Sequence, residues 1–138
     1  MFITTEDYKV VIGESSLTVV TQADSENRHK AEKEAIEEIS GYLRPKYDVN
    51  VIFAATGADR NSYLVMIACD VALYHLFTSL NAKMGLDTRR ERYECAIKWL
   101  EGVQKGTIVP NLPIATDEYG EPANPLHYGS EKRHKNTW

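Results

Sequence analysis

The chain has 138 residues and a formal net charge of −4, with 43% hydrophobic and 26% charged residues. That length holds one domain with its own core and is short for two. The first 60 residues carry 7 Lys/Arg against 11 Asp/Glu, which argues against a phosphate-binding groove there, because nucleic-acid affinity rests on clustered Lys and Arg.

Thr4-Thr5-Glu6-Asp7 has the composition of a helix N-terminus, a Thr cap followed by acids in the first turn, and Gly13 closes a helix of about two turns. Glu14 to Leu17 can start another brief turn. The β-branched run Leu17 to Thr21 fits either a strand or a helix end. Asp24 or Ser25 can cap the next helix, "ENRHKAEKEAIEEISGYL", whose Ala31, Ala35, Ile39 and Tyr42 or Leu43 lie on one stripe widened by Ile36. Glu34, Glu37 and Glu38 lie opposite that stripe, with Glu26–Lys30 and Lys33–Glu37 spaced as supporting pairs. Pro45 ends this helix at or before Arg44, and Gly41 is expected to be a close-packing position in its last turn.

From Arg44 to Asp59 helical periodicity is lost, which predicts a long connecting loop, with Tyr47 at the point where the chain leaves the bundle. "NSYLVMIACDVALYHLFTSL" is apolar nearly all round and predicts a buried central helix, capped by Asn61 or Ser62, with Gly85 just past its end. A second amphipathic helix, "RRERYECAIKWLEGVQKG", is expected to be capped by Asp87 or Thr88. It places Tyr93, Ala96 or Ile97, Leu100 and Val103 or Gln104 at helical spacing and stops at Gly106. Residues 107–110 look extended, and from Pro110 onward four prolines and two glycines interrupt any helical period.

The reading is an all-α fold, a small bundle of four to five helices over residues 1–110, with a long inter-helix loop and a Pro-rich extended or disordered arm at 111–138. Tyr119, Tyr128 and Trp138 in that arm argue against a pure spacer.

Residues that could carry chemistry are few. His29, His75, His127 and His134 show no metal-ligand spacing, no phosphate loop or nucleophile elbow is present, and Cys69 and Cys95 sit among apolar neighbours as small buried side chains. No metal or cofactor is expected. Asp70, inside "IACDVALYHL", needs a partner if buried, and Arg89, Arg90 or Arg92 can supply a buried ion pair. A catalytic Asp70–His75 pair is disfavoured because residues i and i+5 diverge around a helix. Met1 to Thr4 lacks a signal-peptide pattern, so a cytosolic location is expected.

Four phrases, "ITTEDYKVVIGESSL", "AEKEAIEEISGYLRPKYD", "VMIACDVALYHLF" and "RRERYECAIKWLEGVQKGTI", give a pattern over residues 3–110. It resembles the small head-tail connector (head completion or adaptor) proteins of tailed bacteriophages, especially the Mu-like prophage branch. The resemblance implies a non-enzymatic helical protein that forms a ring with copies of itself beneath the portal protein and receives the tail-side neck proteins. DNA would pass through without specific binding, no membrane would be involved, and the protein would occupy the host cytoplasm during assembly and then the virion neck. A ring needs two different complementary patches. Glu34, Glu37 and Glu38 against Arg89, Arg90 and Arg92 are the candidates, joined by Tyr47, Tyr128 and Trp138 as anchors. Deleting residues 120–138 is expected to leave a folded domain that assembles less well. The alternative is a small helical adaptor that binds one protein partner through the 44–59 loop and the arm.

Overall fold

The computed structural model describes residues 2–13, 25–79 and 85–116. Helix α1 spans Thr5–Ile12 because Thr4 and Asp7 close a capping box: the Thr4 amide donates to Asp7 Oδ2 (2.7 Å) and the Asp7 amide donates to Thr4 Oγ1 (3.3 Å). Gly13, at φ 83°, ends it and donates to the Lys9 carbonyl. The expected elements at residues 14–24, including the Leu17 to Thr21 run and Asp24, lie outside the described residues.

Helix α2, Ser25–Leu43, buries Ala31, Ala35, Ile39 and Leu43, one residue per turn, and stops two residues before Pro45. Its expected ion pair changes, since Glu37 reaches Arg44 at 3.1 Å and not Lys33. Gly41 is exposed and a Cβ there would meet nothing within 4 Å, so it is not the close-packing position expected.

The 44–59 segment is not a loop throughout. Asp48 accepts from the Val51 amide (3.2 Å) and starts a short helix α3, Val49–Ala54, and a 3-10 turn follows at Gly57–Asp59. Six residues are too few to display a helical period, and the side-chain cap nucleates the turn instead. Ile52 of α3 is buried, and Phe53 meets Phe2 edge-on at 4.9 Å, which anchors the N-terminal segment.

Helix α4, Ser62–Ser79, starts where Asn61 Oδ1 accepts from the Leu64 amide (2.9 Å). It buries Leu64, Ile67, Ala68, Val71, Ala72, Leu73 and Leu76, and each fully buried Leu or Ile contributes on the order of 1.5–3 kcal/mol. Helix α5, Leu86–Lys105, is capped by Gly85 in the left-handed conformation (φ 78°), and neither Asp87 nor Thr88 is the cap; how α4 ends between Ser79 and Gly85 lies outside the described residues. Ala96, Leu100 and Val103 form its buried stripe. Gly106 (φ 87°) ends it, and the amides of Thr107 and Ile108 both turn back to the Gly102 carbonyl, so this segment bends over the helix end before extending.

Helices α2, α4 and α5 pack pairwise as a three-helix core, with α1 against α4 and α3 against α2. The described part of the C-terminal segment returns to this core. The Asp48 amide donates to Pro113 O (2.9 Å) and the Ala115 amide to Lys46 O (3.0 Å), which sets Tyr47 opposite Ile114 in an isolated antiparallel bridge, while Leu112 packs on the core. Among the described residues the protein is all-α, with five α-helices and no strand beyond this bridge.

Candidate functional site

Four polar clusters tie the elements together. Asp70 of α4, 3% exposed, accepts Arg92 of α5 side-on, Nε to Oδ1 at 2.8 Å and Nη2 to Oδ2 at 3.0 Å. Arg89 approaches the same carboxylate with Nη1 3.7 Å from Oδ1. That Nη1 is buried and has no hydrogen-bond partner, and burial pulls the Arg89 guanidinium pKa down.

Glu38 of α2 turns toward α4 and α5, accepting from Tyr93 OH (2.5 Å) and pairing with His75 Nε2 (2.7 Å), while Tyr74 stacks on Tyr93 at 4.2 Å. Burial and then the Glu38 bond push the Tyr93 phenol above its ordinary range. Glu32, also buried, accepts from Tyr8 OH (2.9 Å) and Arg28 Nε (3.1 Å). At the N-terminal end, Arg60 Nη1 donates to Asp7 Oδ2 (2.6 Å) and to Phe2 O (2.7 Å).

These bonds redistribute the residues expected at an interface. Glu34 and Glu37 are exposed on the outer face of α2, whereas Glu38 is drawn inward by partners on two other helices. Arg89 is buried, Arg92 is held by Asp70, and Arg90 is exposed but paired with Asp87 at 3.2 Å, so the three arginines do not form an open basic patch. Tyr47 is 3% exposed and belongs to the hydrophobic core, with its backbone bridged to Ile114, so it does not begin an outward surface. Tyr128 and Trp138 lie outside the described residues. Asp70 and His75 are engaged by different helices. Cys69 is buried as expected; Cys95 is exposed, which its apolar sequence neighbours concealed.

Sequence reasoning passed over a cleft of about 400 Å³ between α4 and α5, lined by Tyr63, Met66, Asp70, Thr88, Arg92 and Cys95 among others. Tyr63 is 48% exposed, and its ring lies 5.2 Å from that of Trp99. The available signal was the spacing of Tyr63 and Met66, three residues apart at the start of a helix read as fully buried. Among the described residues no group of His, Cys, Asp and Glu could hold a metal ion, and no helix is long and apolar enough to cross a membrane.

Residues 2–126 match the family model described as Bacteriophage Mu, Gp36. The chain belongs to the bacteriophage Mu Gp36 family. The Gp36 match takes in all five helices and the bridge at Ile114, and runs on past the boundary at 110 where the sequence resemblance stopped. No curated protein and no solved structure matches this Gp36-family chain.

Proposed function

We propose that this Gp36-family chain is a non-enzymatic structural protein of a Mu-like phage: a head-tail connector or adaptor whose copies form a ring beneath the portal and join the head to the tail. The observation that carries the reading is the family match over residues 2–126. Two features of the molecule support it. Two of its carboxylates hold helices together, the buried Asp70 on Arg92 and the half-buried Glu38 on His75 and Tyr93. The cleft between α4 and α5 is lined by Tyr63 and Arg92 among others, residue types enriched at the energetic centres of protein-protein interfaces.

The partners on this reading are other copies of the chain, the portal protein above and the neck proteins below. DNA passes through the ring without a specific site. The test is negative-stain microscopy of the full chain, alone at high concentration and mixed with portal rings of the same phage. Closed rings, either free or stacked on the portal, are the expected result. A chain that stays monomeric in both conditions would overturn the reading, as would a phage lacking this gene that still produces tailed, infectious particles.

A further inference from the structure

Helix α4 is apolar on nearly every side, and a helix of that kind is normally covered on every side. Helices α1, α2 and α5 pack against it, yet the strip from Tyr63 to Asp70 beside α5 stays open as the cleft of about 400 Å³.

The lining does not select a charged occupant. Its charged members are Asp70, Glu91 and Arg92, and Asp70 and Arg92 already satisfy one another. What remains open is aromatic surface edged by hydrogen-bond donors. The Tyr63 ring lies 5.2 Å from that of Trp99 at one end of the cleft, with Met66 next to Tyr63. Among the described residues the Tyr63 hydroxyl, the Trp99 Nε1–H and Arg92 Nη1 have no hydrogen-bond partner. Such a groove suits a polyproline II segment, which presents flat proline rings and carbonyls that bond to nothing within the segment itself.

The chain contains a segment of this kind outside the described residues, Pro122-Ala123-Asn124-Pro125. Each proline fixes its own φ near the polyproline value and steers the residue before it, Glu121 or Asn124, toward extended backbone. With three residues per turn, the two prolines share one edge about 9 Å apart. Helix α4 rises about 10 Å from Tyr63 to Asp70, so the spacing matches the length of the cleft. The family match runs to residue 126, ten residues past the last described one, so the family pattern takes in both prolines.

Reach decides whose cleft is used. At the start of α4, Asn61 Nδ2 donates to the Asn111 carbonyl at 3.2 Å, so the C-terminal segment passes the Tyr63 end of the cleft. Four residues on, within about 14 Å, the Ala115 amide is held by Lys46 O. The seven residues from Ala115 to Pro122 extend to about 24 Å, which covers the return. A tethered segment that reaches its own site meets it at a millimolar effective concentration, far above that of a second copy in a dilute solution.

We propose that in the free chain the Pro122–Pro125 segment lies in the α4–α5 cleft of its own copy. Its prolines rest on Tyr63, Trp99 and Met66, and Arg92 Nη1 donates to one of its carbonyls. The inference goes beyond the connector reading and does not rest on it. A partner that takes the cleft has to displace this segment first.

Cys95 lines the cleft and is exposed while Cys69 is buried, so one native thiol reports on the site in the full chain. The variant Ala123→Cys keeps both prolines. Mild oxidation at micromolar concentration is expected to close an intrachain disulfide with Cys95, seen as a faster-migrating monomer on a non-reducing gel. Its rate is expected to be independent of dilution, and the band to be lost on adding Cys95→Ser. Two comparisons separate docking from random collision of a tethered arm. Ser130→Cys, beyond the segment, and Ala123→Cys combined with Pro122→Ala and Pro125→Ala are each expected to close about tenfold more slowly. Rates equal to that of Ala123→Cys in either comparison would overturn the proposal, as would the absence of any disulfide. Covalent oligomers in place of the intrachain product would put the segment in a second copy and overturn the assignment to its own cleft.

Discussion

Ile108 lies over the backbone of Gly102: a Cβ added at that glycine would come within 2.6 Å of Ile108 Cδ1 and 3.0 Å of Cγ1. The contact closes the end of α5, where the Ile108 amide also donates to the Gly102 carbonyl. Gly102→Ala therefore sets a helix-propensity gain of about 1 kcal/mol against displacement of a packed isoleucine. The single variant is expected to be neutral or destabilised by about 1 kcal/mol. In an Ile108→Ala background the same change is expected to stabilise by roughly 0.5–1 kcal/mol, because nothing then opposes the propensity. A urea-unfolding double-mutant cycle reads the coupling, and additive values would show that the two residues do not conflict.

The Asp70 cluster makes two opposite predictions. Asp70→Asn leaves two guanidinium groups without their counter-charge. It is expected to cost about 2–3 kcal/mol, below the usual figure for a broken buried pair because Arg92 is partly solvated. Arg89→Met keeps the Asp70–Arg92 pair and removes a buried donor that has no acceptor, so it is expected to be neutral or stabilising by about 1 kcal/mol. Chemical denaturation of both at pH 7 checks the pair; equal losses would mean that Arg89 contributes as much as Arg92.

The features legible in the sequence were those decided locally. The Thr4 cap, the Ala31–Ala35–Ile39–Leu43 stripe and the Gly106 stop each depend on residues within a turn or two, and the structure has all of them. What escaped depends on distant partners. Tyr47 is buried in the core and bridged to Ile114, more than sixty residues later in the chain, and Glu38 turns inward because His75 and Tyr93 arrive from two other helices. The need of Asp70 for an arginine followed from the physics of buried charge, but the choice of Arg92 over Arg90 depends on the phase of α5, since Arg90 points outward to Asp87. The same phase exposes Cys95 while its neighbour Ala96 is buried.

Asp7 makes acid stability measurable. Partial burial alone would raise the pKa of its carboxyl, but the Arg60 hydrogen bond and the Thr4 backbone and side-chain bonds outweigh that and hold it below the ordinary value. A carboxyl depressed in the folded state stabilises the protein above its unfolded pKa, near 3.9, and that stabilisation is lost as pH falls through the folded value. Asp7→Asn is therefore expected to be less stable than wild type at pH 7, with the difference shrinking below about pH 4. Thermal unfolding from pH 7 to pH 2 tests it, and a difference that is constant with pH would exclude this linkage.

The two thiols should separate cleanly in the dilute chain. Burial, the largest influence, pushes the Cys69 thiol well above its usual pKa, whereas Cys95 is exposed. A disulfide reagent at pH 8 is expected to modify one thiol per chain quickly and the second only after denaturant is added. Two fast thiols in the folded chain would contradict the packing around α4.

A helix that is greasy on every side has no preferred way of turning about its own axis, and α4 comes close to that condition. Asp70 and His75 supply what its apolar residues cannot. They stand about 140° apart around the helix and are held from different directions, one by α5 and the other by α2. Together they act as two keys in two locks: a rotation of α4 by one residue would strand both. Volume-conserving exchanges among the buried apolar residues of α4 are then expected to leave the orientation of the helix unchanged, and with it the placement of Tyr63 and Met66, so long as those two polar side chains stay in place.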